Sequence, residues 1–231
     1  MVSAILQVQG KEGALVHGAS ADINVHNPTV EPTQFTSALI WVRADPNENF
    51  DYITAGWTVN KDEHRGCYNT FCTGFVQVDR SVTPSASLSP ISTIGGTQYV
   101  IKVHVYQDPL SRNWWLIITS NSLVIGYWPQ TLFAYLGDGA TSVSWGGVAQ
   151  AGSNGVSPPL GNGRFPYDPF PCYFEWMKIV NKDYGIDPVL KKIDITTYVE
   201  GKNCYDILYH KYVPERGATL TFGGPGGINC G

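Results

Sequence analysis

Ten stretches of this chain have the strand-like composition and alternation of β-sheet and are divided by turn residues. They are SALIWVR (37–43), YITAGWTV (52–59), CTGFVQV (72–78), TQYVIKVHVYQ (97–107), NWWLIIT (113–119), SLVIGYW (122–128), TSVSWGGV (141–148), CYFEWMKIV (172–180), and, in the tail, YDILYHKYV and ATLTF. Successive side chains of a strand point to opposite faces, so such segments bury one face and expose the other. Many short strands at even spacing predict an all-β sandwich or barrel. In YITAGWTVN the residues Ile53, Ala55, Trp57 and Val59 are expected in the core. Tyr52, Thr54, Gly56 and Thr58 are expected on the other face. Only QTLFAYLG (130–137) reads as a short helix, with Pro129 before it, Leu132, Phe133 and Leu136 on one side, and Gly137 to end it.

The chain has 231 residues, 43% of them hydrophobic, enough for one sizeable core. Charged residues are only 15% while Gly, Tyr and Trp are abundant, the profile expected of a turn-rich, extracellular β protein. A net charge of -4 without a Lys/Arg cluster argues against nucleic acid as the main partner. No apolar run approaches the length of a membrane span, so no membrane partner is expected. The start, MVSAILQVQG, lacks the basic region and long apolar stretch of a signal peptide. The Gly- and Pro-rich stretch 151–171 is a long loop of the kind that binds something, covers a cleft or lies disordered. No fixed-period repeat divides the chain. Residues 1–16 form an N-terminal segment and 17–231 one domain.

Five cysteines stand at 67, 72, 172, 204 and 230. Cys67 with Cys72 would close a small loop, and Cys204 with Cys230 would pin the C-terminal segment. No CxxC or HxxxH accompanies them, so disulfides are favoured over zinc. Cys172 is left over, either reduced and buried or available to an intermolecular bridge. The five histidines show no ligand spacing, and GGPGGINC reads as a tight turn before a disulfide. DPNENFD places Asp45, Asn47, Asn49 and Asp51 at alternate positions, as in a calcium loop. It lacks the sixth-position Gly and twelfth-position Glu, so a solvated loop is favoured and no cofactor is expected. In the pairs Trp114/Trp115 and Tyr127/Trp128 only one member can face the core. The other is free to wall a groove, and Trp114, Tyr127 and Trp128 are carried as candidates.

GCYNTFCTGFVQ (66–77), NWWL (113–116), GYWPQTLFAYLGDGA (126–140), WGG (145–147), GNGRFP (161–166) and FGGPGG (222–227) together resemble the neprosin family of secreted proteins, known mainly from plants. The motifs keep their order from about His17 to the end. The resemblance implies two stacked antiparallel sheets with one concave face forming a long cleft, and Cys67–Cys72 and Cys204–Cys230 as the disulfides. It also implies secretion, with the signal and any pro-segment outside this chain. Active members of that family are glutamic peptidases that cut beside proline in acid. One carboxylate takes a proton from water while the other, kept protonated, polarises the carbonyl.

The family's two glutamates precede AGW and follow WGG. In this chain those positions hold Thr54 and Val148. Neither can act as a carboxylate, and losing general acid–base work costs about two to four orders of magnitude in rate. The connection KDEHR is also shorter than the family's insert at that place. Alternative acids are Glu63, in that connection, and Glu175, in a strand with no second acid at a matching position. The expected protein is an inactive neprosin-like domain whose cleft, lined by Tyr52, Thr54, Gly56, Thr58, Ser144, Gly146 and Val148, binds a proline-rich peptide, a glycan or another protein. An acid endopeptidase with a relocated acidic pair is the alternative, and a stable defence or storage protein is a third.

Overall fold

The computed structural model of the chain describes residues 1–10, 13–45, 49–61, 69–71, 73–118, 123–190 and 194–230. In chain order its strands are β1 (Val2–Gln9), β2 (Gly18–Asn24), β3 (Phe35–Ala44), β4 (Asp51–Asn60), β5 (Val76–Gln77), β6 (Val100–Gln107), β7 (Trp114–Ile118) and β8 (Leu123–Trp128). They continue with β9 (Ser142–Gln150), β10 (Val156–Ser157), β11 (Cys172–Val180), β12 (Ile186–Pro188), β13 (Ile195–Val199), β14 (Asp206–Val213), β15 (Gly217–Gly223) and β16 (Gly227–Ile228). A five-stranded sheet has the order β13-β1-β9-β3-β4. A nine-stranded sheet runs β14-β15-β11-β2-β6-β7-β8-β5, with β12 joined to β11. Every pairing is antiparallel, and β10 with β16 forms a small separate ladder. Strand β1 lies within the first 16 residues, between β9 and β13.

The sheets stack through the faces that alternation selects. Ala4, Leu6 and Val8 from β1, Ala38, Ile40 and Val42 from β3, and Ile53, Ala55 and Trp57 from β4 are buried. From the larger sheet they meet Ala19, Ala21 and Ile23 of β2, Val103 and Val105 of β6, and Phe174, Leu220 and Phe222. Two indoles cross between the sheets: Trp57 Nε1 donates to the Asn24 carbonyl at 2.9 Å and Trp145 Nε1 to the Ser20 carbonyl at 3.2 Å. An unsatisfied buried donor costs about 1–3 kcal/mol, so these bonds fix how the layers sit as well as holding them. Cys204 and Cys230 form a disulfide, and Cys172 is a free, buried thiol whose pKa burial pushes up. Cys67 and Cys72 lie outside the described residues.

The helix expected over 130–137 is not formed. A single 3-10 turn covers Gln130–Leu132, and Phe133 is already extended. The backbone groups that a helix would pair internally are taken by tertiary partners. The Tyr135 N–H donates to Asp51 Oδ2 at 2.5 Å, and the Leu136 carbonyl accepts from Trp114 Nε1 at 3.0 Å. Leu136 is buried whereas Leu132 is 47% exposed, so the two do not share a face. The long loop 151–171 is pinned: Leu160 is buried and bridges to Gly224, Tyr205 Oη donates to the Pro158 carbonyl at 2.7 Å, and Thr221 Oγ1 donates to the Pro166 carbonyl at 3.0 Å.

Candidate functional site

The outer face of the five-stranded sheet carries both positions the resemblance assigns to catalytic acids. Register divides it into four rungs. Tyr52, Arg43, Ser142 and Gln9 form the first, and Thr54, Trp41, Ser144 and Gln7 the second. Gly56, Leu39, Gly146 and Ile5 form the third, and Thr58, Ser37, Val148 and Ser3 the fourth. The two glycines are needed on the third rung. Their φ angles are 156° and 152°, and a Cβ would come within 2.0 Å of the Ala38 carbonyl oxygen at Gly56 and 2.1 Å of the Ala4 carbonyl oxygen at Gly146. With no side chain at either place, the rung is a low saddle between Leu39 and, towards the β13 edge, Ile5 with its partner Tyr198. Thus the glycines of AGW and WGG, 90 residues apart in the chain, are brought onto one line across the sheet.

Thr54 stands on one bank of this saddle and Val148 on the other. They are two strands apart and four residues offset, which places their Cα atoms roughly 16 Å apart at ordinary sheet spacings. Val148 is 8% exposed and Ser37 beside it is buried, while Thr54 is half-buried and Tyr52 exposed. Hydroxyls along the fourth rung are already engaged. Ser37 Oγ and Thr58 Oγ1 share a hydrogen bond of 2.9 Å, and Ser3 Oγ donates to Glu200 Oε2 at 2.8 Å. Among the described residues no carboxylate stands on the four rungs themselves; Glu200 sits at their margin, held by Ser3 through its backbone N–H as well. At the opposite end Arg43 lies over the Phe50 ring, 4.6 Å from its centroid, and pairs with Asp45 at 3.3 Å.

The aromatic candidates go elsewhere. Trp114 is fully buried with its indole bonded to the Leu136 carbonyl, so it cannot line a cleft; Trp115 is the outward member of that pair. Tyr127 lies opposite Trp115, with ring centroids 4.7 Å apart, on the outer face of the nine-stranded sheet. Trp128 shares the inward side with Trp114, packs against the core and meets Phe75 edge-on at 4.8 Å. None of the three joins Thr54 and Val148.

Glu63 and Asn47 lie outside the described residues. Asp45 accepts from Thr141 Oγ1 at 2.7 Å, and Asp51 is taken by the Tyr135 N–H, so these two carboxylates turn to separate partners. Among the described residues no three His, Cys, Asp or Glu side chains gather as a metal set. Glu175 does have an acid opposite it: Asp22 is its register partner across β2 and β11. Arg216 Nε donates to Glu175 Oε2 at 2.6 Å and Lys102 approaches Asp22 at 3.3 Å. Burial of Asp22 raises its carboxyl pKa more than Lys102 lowers it. This pair is on the outer face of the larger sheet, away from Thr54 and Val148.

Sequence reading missed Trp41, Leu39 and Ser37, which sit beside Thr54, Gly56 and Thr58, and it missed the pairing of Asp22 with Glu175. Alternation in SALIWVR marks Ser37, Leu39, Trp41 and Arg43 as one face, but only the pairing of β3 between β4 and β9 puts them inside the site. A cavity of about 340 Å³ bordered by Asn27, Val30, Val59 and Asn60 opens at the end of β4, beyond the fourth rung. A family model described as Neprosin matches residues 32–225.

Proposed function

The chain belongs to the neprosin family, and from that premise we propose that it is a secreted, catalytically inactive member whose five-stranded sheet binds an extended, proline-rich peptide. The observation that carries this reading is that, among the described residues, no pair of carboxylates stands on the four rungs around Thr54 and Val148, the lone Glu200 at their edge being held by Ser3. Without a carboxylate to activate water, the family's reaction loses its general base and general acid together. What remains is a face suited to holding a chain. Polyproline segments lack internal hydrogen bonds and expose their carbonyls, and they dock on aromatic side chains beside donors. Trp41 and Tyr52 supply the aromatic surface, and Thr54 and Gln7 of the second rung supply donors beside the glycine saddle. The Cys204–Cys230 disulfide is compatible with an oxidising, extracellular setting.

Titration with a proline-rich peptide tests this reading: saturable binding that Trp41→Ala weakens about tenfold is expected, an aromatic truncation of that kind costing roughly 1.4 kcal/mol or more. The same peptide should survive incubation between pH 2 and 6. Binding of oligosaccharides alone would transfer the role to glycans, and binding of neither would favour a storage or defence role.

Acid hydrolysis by a relocated pair is the second reading, favoured by the Asp22–Glu175 pairing. Burial raises the Asp22 carboxyl, and Glu175 stands directly opposite it across the ladder as a second acid. Against it, Lys102 and Arg216 each occupy one carboxylate, whereas a shared-proton dyad keeps the two free to face water. Cleavage of the peptide in acid, abolished by Glu175→Gln and untouched by Trp41→Ala, would establish this reading over the first.

A further inference from the structure

Strand β11 changes partner along its length. Cys172–Phe174 pairs with β15, and Lys178–Val180 pairs with β12. At the change a β-bulge puts Trp176 in the left-handed region, at φ 53°. Such a conformation is rare for a bulky residue, and bulges re-aim side chains. Both prongs of the fork are held: the Trp176 N–H donates to the Arg216 carbonyl at 2.9 Å and the Val189 N–H to the Met177 carbonyl at 3.0 Å. Between the prongs lies a cavity of about 280 Å³. Buried Met177 is among its lining residues, as are Trp176, Ile186, Leu190 and Tyr212.

Two features make this a built site and not a bare apolar patch. The Trp176 ring is seated against Gly217, where a Cβ would come within 2.7 Å of it and where φ is 62°, so that wall is fixed before any ligand arrives. Lys178 is the charged residue of the lining, and among the described residues no carboxylate lies within 4.0 Å of its ammonium. Asp22 is close enough to feel that charge but is bridged by Lys102. An apolar cavity of about 150 Å³ accommodates benzene, so this one has room for a ring with a short chain.

We propose that the cavity binds a small amphipathic carboxylate, its aromatic or short acyl body between Trp176 and Tyr212 and its carboxylate on Lys178. The ammonium supplies what the apolar walls lack, a reason to prefer an anion over a neutral molecule of the same shape. This site is separate from the outer face of the five-stranded sheet and does not depend on the function assigned there.

Calorimetric titration of the full chain with 4-phenylbutyrate and with neutral 4-phenylbutan-1-ol tests the assignment. The acid should bind saturably and at least about threefold tighter than the alcohol, the scale of a partly exposed ion pair. Lys178→Met should abolish that preference while keeping alcohol binding. Trp176→Ala, at a ring 40% exposed, and Tyr212→Ala, at one 61% exposed, should weaken both probes about tenfold without disturbing the far-ultraviolet spectrum. Failure of the wild-type chain to bind either probe saturably would overturn the proposal. So would an acid preference that persists in Lys178→Met, or wild-type affinity in Trp176→Ala.

Discussion

Val148→Glu restores a carboxyl where the family resemblance expects one and asks whether the fourth rung can still hold it. Val148 is 8% exposed, with Ser3 and Ser37 as its neighbours. Both hydroxyls are committed, Ser3 to Glu200 and Ser37 to Thr58, and no cation shares the rung. Losing the buried valine costs about 1.5 kcal/mol at any pH. The new carboxylate would be desolvated and near Glu200, so its pKa should rise, by about two units from ~4.3, or roughly 2.7 kcal/mol. A folded-state pKa raised above the unfolded one means the folded protein holds the proton more tightly. That penalty is therefore absent below about pH 4 and complete above about pH 7. Relative to wild type at each pH, Val148→Glu should lose about 4 kcal/mol at pH 7 and about 1.5 kcal/mol at pH 4. Urea unfolding followed by tryptophan fluorescence reads both, with Val148→Gln as the control that should show no such pH dependence. Equal destabilisation of the Glu variant at the two pH values would refute the reasoning, because it would mean that water or a donor reaches the site. Even with Thr54→Glu added, peptidase activity should stay weak.

Other consequences are open to equally direct measurement. Cys204→Ser with Cys230→Ser opens a loop set by a sequence separation of 26, and chain entropy puts the loss at about 3.5 kcal/mol in denaturant unfolding. A loss below about 1 kcal/mol would show that other contacts already hold the tail. His26 donates to Asn24 Oδ1 at 2.7 Å, and burial lowers its pKa from 6.5 to about 4. A lowered folded-state value gives stability that is present above pH 6.5 and lost as pH falls towards 4, so His26→Gln should flatten that part of the stability profile by about 3 kcal/mol. Gly146→Ala sets a Cβ 2.1 Å from the Ala4 carbonyl oxygen; it should cost at least about 2 kcal/mol and lower the thermal midpoint more than Ala substitution of exposed Gly155, where nothing lies within 4 Å.

The strands were legible because period-two burial is a local property. YITAGWTV declared its buried face residue by residue, and Ile53, Ala55 and Trp57 are buried as alternation requires. The aromatic pairs were legible only halfway. Alternation says that one of Trp114 and Trp115 points inward, but the choice depends on which face of β7 meets the core, a fact held in its pairing with β6 and β8. QTLFAYLG misled for a related reason. Its residues favour helix locally, yet Asp51, 84 positions from Tyr135 in sequence, claims the N–H groups that a helix would have used. The same limit hid Asp22. Glu175 appeared to lack a second acid because β2 and β11 meet only through the antiparallel ladder, with the bulge at Trp176 shifting the register between Glu175 and Lys178.

The sandwich places its charges unequally, and that asymmetry separates the two readings of function by position. On the five-stranded sheet the rungs around Thr54 and Val148 hold hydroxyls, amides, apolar groups and a single arginine at one end. On the outer face of the other sheet, Asp22 and Glu175 stand side by side across β2 and β11, flanked by Lys102 of β6 on one side and Arg216 of the turn before β15 on the other. A charged group stripped of water is costly unless it is paired, so the second face keeps its carboxylates by supplying a cation for each, and the first tolerates Val148 by supplying none. A family-type mechanism needs two carboxyls sharing one proton, an arrangement that fixed cations on both would oppose. On the first face no such pair stands among the described residues, and on the second each carboxylate has its own cation, so peptide binding is expected to respond to Trp41→Ala and any cleavage in acid to Glu175→Gln.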